Sequence, residues 1–148
     1  MSQRILVVED EPGILNVVWQ VLDEEGFDVT RAANGAVALE AISAGAAFDL
    51  AVLDMWMPVL NGWEFAAALT ERGVHLPLLV MTAASDARAY AREIGAVGFI
   101  GKPFDVDQLV LAVRNALPPI DGGPGGNMPP IRPPDAVGDA PMRSPLPV

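Results

Sequence analysis

The segment AVLDMWMPVLNGWEF, residues 51 to 65, begins with an apolar run that ends in a carboxylate and continues toward an amphipathic pattern. That run belongs to a set of five short, mostly apolar stretches: Arg4 to Val8, Phe27 to Ala32, Asp49 to Asp54, Leu78 to Thr82 and Val97 to Gly101. Several are almost continuously apolar, which is typical of strands that are buried on both faces of a parallel sheet.

Helical patterns separate the five runs, and their ends can be identified. The first has Pro12 in its opening turn, and the later patterns end at a glycine. The predicted stops are Gly26, Gly45, Gly73 and Gly95. The last helix begins with Asp105 as a cap and Gln108 at the third helical position. Five strand and helix pairs in sequence predict a doubly wound α/β fold, in which helices cover both faces of a five-stranded parallel sheet.

Composition limits the classes of protein to which the chain can belong. Its 148 residues contain no cysteine and carry a formal net charge of -10. Disulfides and thiolate metal sites are therefore excluded, and an acidic chain is repelled by phosphate backbones, which argues against direct nucleic-acid binding. No signal peptide is evident, and no segment approaches the roughly 20 apolar residues of a membrane span. We expect a cytoplasmic protein without a membrane segment.

The composition changes sharply after Leu117. Residues 118 to 148 contain ten prolines and five glycines in 31 positions, without a helical or alternating apolar pattern. Such a stretch buries too little surface to fold alone. We therefore expect one folded domain over residues 1 to 117, followed by a disordered tail or linker over residues 118 to 148.

Polar residues collect where the predicted strands end. Glu9 and Asp10 follow the first run, Asp54 ends the third, Thr82 ends the fourth and Lys102 follows the fifth. Parallel strands bring their carboxyl ends to one edge, where open α/β sheets bind ligands. Each close pair of carboxylates costs on the order of 4 kcal/mol at about 4 Å and an effective dielectric near 20. Positive charge must therefore compensate.

Two sources of positive charge fit this edge. An all-oxygen cluster suits Mg2+, which also accepts phosphate oxygens as ligands. Lys102, the only lysine in the chain, adds a fixed ammonium. Once neutralised, Asp54 can act as an oxygen nucleophile toward phosphorus, with Lys102 and the Thr82 hydroxyl meeting the phosphoryl oxygens. The residues therefore predict an aspartyl phosphate at Asp54.

Four motifs, in this order and spacing, carry a resemblance to a known family: ILVVEDEP, AVLDMWMPVLNGWEF, LLVMTAA and GFIGKPF. From Arg4 to Leu117 the chain resembles the receiver domain of two-component response regulators. The resemblance implies a flavodoxin-like sheet of order 2-1-3-4-5. It also implies that Asp54 is the phosphoacceptor and that Mg2+ is held by Glu9, Asp10, Asp54 and the backbone carbonyl of Trp56.

The remaining site residues follow from the same resemblance. Thr82 and Lys102 match residues that contact the phosphoryl group, and Thr82 with Phe99 matches the switch pair. The Lys102-Pro103 bond is expected to be cis. Phe99 replaces a frequent tyrosine, so a hydroxyl-mediated switch is in question. Trp56 is bulky and lies two positions after the acceptor, which leads to the hypothesis of an altered phosphoryl lifetime.

The resemblance implies a phosphorylation switch. A sensor histidine kinase or a histidine phosphotransfer protein gives phosphate to Asp54 in a Mg2+-dependent reaction. The face formed by the fourth helix, fifth strand and fifth helix then changes its affinity for a downstream protein, and a phosphorylation-dependent dimer is compatible with this. The protein is not an enzyme in the ordinary sense, because it catalyses only its own phosphorylation and dephosphorylation.

Other functions fit these residues less well. A haloacid-dehalogenase-type hydrolase needs an acid two residues after its nucleophile, where Trp56 stands. Nucleotide enzymes are disfavoured because GKP lacks the following Ser or Thr of a P-loop. A degenerate receiver that acts as a constitutive adaptor conflicts with the complete set of site residues. Phe99 also has a simpler alternative role, as a core residue of its strand.

Overall fold

The computed structural model describes residues 2 to 118. The tail that we expect from residue 118 onward therefore lies, except for Pro118, outside the described residues. Strands and helices alternate along the chain: β1 (Arg4–Val8), α1 (Pro12–Glu24), β2 (Asp28–Ala32), α2 (Gly35–Ser43), β3 (Leu50–Asp54), α3 (Gly62–Glu71), β4 (Leu78–Ala83), α4 (Ala84–Ile94), β5 (Gly98–Lys102) and α5 (Val106–Ala116). The predicted alternation is confirmed, and each strand boundary agrees with its prediction to within one residue.

The strands form one parallel sheet of order β2-β1-β3-β4-β5, as predicted. The chain reverses direction across the sheet between β1 and β3, which is where ligands bind in open α/β sheets. Neighbouring strands end almost level, because Val8 pairs with Leu53, Asp54 with Met81 and Ala83 with Lys102. The residues at these ends are therefore presented together at one edge.

Helices cover both faces of the sheet. Alternate residues of β1 point to opposite faces, so that Leu6 and Val8 join one core cluster and Ile5 and Val7 the other. The first cluster is completed by residues of α2, α3 and α4, and the second by residues of α1 and α5. All five residues of β3 are buried, which explains the continuous apolar run that precedes Asp54.

The helix ends agree with the local sequence signals. The predicted capping box of α5 is present, with Asp105 accepting from the Gln108 backbone N–H at 2.8 Å and Gln108 accepting from that of Asp105 at 2.9 Å. Asn61 and Glu64 form a second box at α3, which the sequence analysis missed. All four predicted glycine stops have positive φ, at Gly26, Gly45, Gly73 and Gly95. Left-handed glycines of this kind end helices without a Cβ penalty.

Helix α4 is attached differently from the others. It follows β4 directly, its N-cap Ala83 makes no side-chain cap, and its only buried residues are Ala87 and Ala91. Its first turn approaches β5 closely, since a Cβ on Gly101 would lie 2.5 Å from Ala84 Cα. Glycine is therefore required at position 101 for this contact.

Between residues 2 and 118, every helix is too short or too polar to cross a bilayer.

Candidate functional site

Three carboxylates meet at the carboxyl edge of the sheet. Glu9 follows β1 and is 1% exposed, while Asp54 ends β3 and is 5% exposed. Asp10, next to Glu9, is exposed. One oxygen from each of the three lies within 4.8 Å of the others. The structure therefore brings together the acidic residues that the sequence analysis selected.

Lys102 lies between the two buried carboxylates. It is the last residue of β5 rather than the residue after the strand, and its Nζ donates to Glu9 Oε1 at 2.9 Å. The same Nζ lies 3.6 Å from Asp54 Oδ2. The Lys102-Pro103 peptide bond is cis, as the resemblance implies. One ammonium thus forms ion pairs with both buried carboxylates.

Backbone groups complete the contacts of the two buried acids. The Trp56 N–H donates to Asp54 Oδ1 at 3.3 Å, and the Glu11 N–H donates to Glu9 Oε2 at 3.1 Å. Each buried carboxylate therefore has one backbone donor and a share of one ammonium. Such charge-assisted hydrogen bonds orient the carboxylates, and the single ammonium is shared between two negative charges.

The pKa values show that the site is short of positive charge. Burial raises the pKa of Glu9 to about 7, although the hydrogen bonds from Lys102 and the Glu11 backbone act in the opposite direction. Burial also raises the pKa of Asp54, against the lowering effect of the Lys102 charge. For Lys102, burial lowers the pKa, but the hydrogen bond to Glu9 and the charge of Asp54 outweigh it, so the net shift is upward. The ammonium stays charged and does not offset the burial of two carboxylates.

These donors fit a hard divalent cation. All three are carboxylate oxygens, the ligand type that Mg2+ prefers in proteins. One oxygen from each carboxylate lies within 4.8 Å of the others, so the three side chains face a common space that one ion could share. The shortage of positive charge around Glu9 and Asp54 favours such an ion as well.

Thr82 and Phe99 lie in different environments. Thr82 is 3% exposed, and within residues 2 to 118 its hydroxyl has no hydrogen-bonding partner, which is costly for a buried polar group. Phe99 is 41% exposed on β5, with the Arg88 guanidinium carbon 5.4 Å from its ring centroid. The alternative that Phe99 is a core residue is therefore wrong, because this side chain is exposed while Ile100, on the opposite face of the same strand, is buried.

Trp56 belongs to an aromatic cluster that the sequence analysis did not predict. Its ring centroid lies 4.9 Å from that of Trp63 on α3 and 6.1 Å from that of Tyr90 on α4. Trp63 and Tyr90 are 4.8 Å apart, and all three pairs are edge-to-face. We call Trp56, Trp63 and Tyr90 the aromatic cluster.

Comparison with known proteins agrees with the fold and the motifs. Residues 5 to 114 match the family model described as the response regulator receiver domain. The chain belongs to this family. This receiver is 41% identical over 117 residues to the transcriptional regulatory protein PcoR of Escherichia coli, covering 78% of this chain and 51% of that protein.

Two further similarities cover almost the whole of the related protein. Sporulation initiation phosphotransferase F of Bacillus subtilis (strain 168) is 33% identical over 120 residues, covering 80% of this chain and 96% of that one. The solved structure of chemotaxis response regulator CheY4 of Vibrio cholerae matches with a TM-score of 0.71 at 30% identity, covering 79% of this chain and 100% of that chain. By contrast, the receiver spans about half the length of the transcriptional regulators that it matches.

Proposed function

We propose that this receiver is a phosphorylation-dependent signalling switch in which Asp54 accepts a phosphoryl group from a histidine kinase or a histidine phosphotransfer protein. The observation that carries the proposal is the placement of Asp54. It is a buried carboxylate at a strand end, with one oxygen 3.6 Å from an ammonium and the other on a backbone N–H. Two further carboxylates lie beside it.

The reaction follows from this arrangement. An Asp54 oxygen attacks the phosphorus of a phosphohistidine, and the P–N bond breaks as the O–P bond forms, with the electron pair returning to the imidazole. Charge on the phosphoryl oxygens is met by Lys102 and by the buried Thr82 hydroxyl, which has no other described partner. Mg2+ bound by Glu9, Asp10, Asp54 and the Trp56 carbonyl would supply the remaining charge neutralisation.

The receiver acts as a regulator rather than a classical enzyme. It promotes its own phosphorylation, and attack by water on the same phosphorus returns Asp54 to its free form. Trp56 is 59% exposed and held against two aromatic rings, so we expect it to alter the lifetime of the phosphoryl group. Phosphoryl donors and Mg2+ are available in the cytoplasm, where we place this switch.

An apolar groove beside the site suits the approach of the donor protein. It has a volume of about 750 Å³ and is lined by residues of α1, including Ile14 and Val17, and by Lys102, Pro103 and Phe104. Because Lys102 borders both the groove and Asp54, a donor seated there brings its phosphorylated side chain to the acceptor. We therefore assign this groove to the histidine-containing donor.

The downstream partner would bind the face formed by α4, β5 and α5. Exposed apolar side chains on or beside this face include Val97, Phe99, Val106 and Leu111. Arg88 lies over the Phe99 ring, so the face also carries positive charge in an otherwise acidic chain. A phosphorylation-dependent dimer would use the same surface.

Intact mass tests the proposal. Incubation with Mg2+ and acetyl phosphate should add one phosphoryl group to the wild type and to Asp23→Asn, an exposed aspartate on α1. Asp54→Asn and a metal-free sample should gain none. Modification of Asp54→Asn to the wild-type extent, or a wild type that binds Mg2+ and is never modified, would overturn the assignment of Asp54.

A further inference from the structure

The aromatic cluster joins the acceptor loop to helix α4. Trp56 contributes its backbone N–H to Asp54 and its side chain to the cluster. Tyr90 contributes the α4 side of the contact, and Trp63 packs against both rings. The Trp56 ring therefore contacts rings that belong to two different helices.

The α3 side of the cluster is rigid. Trp63 lies in the first turn of α3, whose N-terminus is closed by the Asn61 and Glu64 capping box. Gly62 packs so closely on Met55 that a Cβ there would lie 2.4 Å from the Met55 sulfur. Its N–H also donates to the Met55 carbonyl at 2.9 Å. The N-terminus of α3, which carries Trp63, is therefore held firmly in place.

Apart from this cluster, the core contacts of α4 are made by two buried alanines and the partly buried Ile94. The helix buries two alanines, Ala87 and Ala91, whereas α3 buries Phe65 and Leu69. An alanine buries a single methyl group, so α4 gains far less from the core than its neighbour does. Helix α4 also lacks a side-chain N-cap.

A side-chain hydrogen bond reinforces the link between the two helices. Trp63 Nε1 donates to Glu93 Oε1 of α4 at 2.8 Å. Together with the contact between the Trp63 and Tyr90 rings, this bond connects the last two turns of α4 to the start of α3. The position of α4 therefore depends on side chains that also hold Trp56.

We propose that Trp63, Tyr90 and Glu93 are positioning residues that couple the state of the Asp54 site to the position of α4. The inference rests on the proposed function, since the phosphoryl group on Asp54 and the ion at the Trp56 carbonyl are what displace the Trp56 backbone. Trp56 then moves against Trp63 and Tyr90, and α4 shifts with them. Coupling between sites is reciprocal, so a partner bound to α4 changes Mg2+ and phosphoryl retention in turn.

This route is separate from the one through Thr82 and Phe99. Those two residues lie on β4 and β5, whereas the aromatic cluster connects the loop after β3 with α3 and α4. A chain that keeps Thr82 and Phe99 but lacks the cluster should therefore lose part of the response of α4.

Hydrogen exchange of the α4 amides, followed by mass spectrometry on the full chain, tests the coupling. Exchange is compared in EDTA and in Mg2+ with acetyl phosphate, and intact mass is recorded on the same samples. The variants are Trp63→Leu, which removes the two ring contacts of Trp63 and its hydrogen bond and leaves only the Trp56–Tyr90 pair, and Glu93→Ala, which removes only the hydrogen bond. Trp19→Leu on α1 is the matched control, because Trp19 stacks on Arg31 and has no contact with the cluster.

The expected results are specific to the coupling. In the wild type and in Trp19→Leu, α4 exchange should change by about fivefold or more between the two conditions, the lower end of measured couplings. In Trp63→Leu the change should fall below about twofold while Asp54 is still phosphorylated, and Glu93→Ala should lie between them. Equal responses in the wild type and both variants, or a phosphorylated wild type without any α4 response, would overturn the coupling.

The experiment separates this inference from the proposed function. A wild type that gains no phosphoryl group refutes the phosphorylation switch. The same exchange comparison with Mg2+ alone then decides the coupling. A response of α4 to Mg2+ that Trp63→Leu loses supports it, and an unchanged response in that variant overturns it.

Discussion

The stability of the metal-free receiver should decrease as the pH rises from about 5.5 to about 8, because of Glu9. Burial raises the pKa of this carboxyl from its ordinary value of 4.5 to about 7 in the folded protein. Between these two values the folded state binds the proton more tightly than the unfolded chain does. The stabilisation is therefore present at low pH and is lost as the pH rises through the folded pKa.

The two pKa values set the size of the effect. With 4.5 in the unfolded chain and about 7 in the folded protein, the free energy of unfolding falls by about 2 kcal/mol between about pH 5.5 and about pH 8. The pKa of Asp54 is also raised by burial, so its protonation changes stability with the same sign. Lys102 adds nothing in this range, because its pKa is shifted upward from 10.5.

Urea denaturation in EDTA across this pH range measures the effect. The wild type is compared with Glu9→Gln, in which the titrating group is absent and the slope should be smaller by about 2 kcal/mol over the range. Saturating Mg2+ should reverse the trend for the wild type, since the ion binds the deprotonated carboxylates and stabilises the folded state most at high pH.

Two results would refute the reasoning. One is a metal-free wild type that is as stable at the upper end of the range as at the lower end. The other is a Glu9→Gln variant whose slope equals that of the wild type. Either would mean that Glu9 is already ionised at low pH, and that the Lys102 ammonium suffices to neutralise the site.

Three further predictions concern single contacts. Lys102→Met should bind Mg2+ at least as tightly as the wild type in calorimetry, because the carboxylates lose a competing cation. Phosphorylation of Asp54, measured by intact mass, should slow by about 100-fold or more in this variant. Weaker Mg2+ binding would contradict this prediction. Gly101→Ala brings a Cβ within 2.5 Å of Ala84 Cα and should cost about 1 to 3 kcal/mol in urea denaturation. Gly13→Ala, whose Cβ meets no atom within 4 Å, should be neutral or stabilising by up to about 1 kcal/mol, and equal effects at the two glycines would refute the steric argument. Asn61→Ala removes the α3 cap and should cost about 1 kcal/mol, so an unchanged denaturation midpoint would show that the capping box contributes nothing.

The fold was predictable because its signals are local or follow from topology. Apolar runs, glycine stops and the Asp105 cap each act within a few residues, and alternation of strands and helices then leaves few arrangements of a parallel sheet. Convergence of Glu9, Asp54 and Lys102 follows from the same topology. The Asn61 capping box could also have been found, since Asn61 is followed three residues later by Glu64.

The contacts between helices were not predictable in this way. Trp63 and Tyr90 are separated in sequence by β4, and their contact depends on the angle at which α3 and α4 cross the sheet. The exposure of Phe99 depends on the edge position of β5, which periodicity alone does not give. The Thr82 hydroxyl is another such case, because hydrogen-bond satisfaction is a property of the assembled interior.

The bond between Lys102 and Glu9 joins residues that are 93 positions apart. During synthesis the acidic residues after β1 and β3 leave the ribosome well before the strand that carries their ammonium. Closing so long a loop is entropically unfavourable until β5 pairs with β4. A chain interrupted before residue 102 would hold its acids without this cation, so the charge balance of the site depends on the last strand to be synthesised.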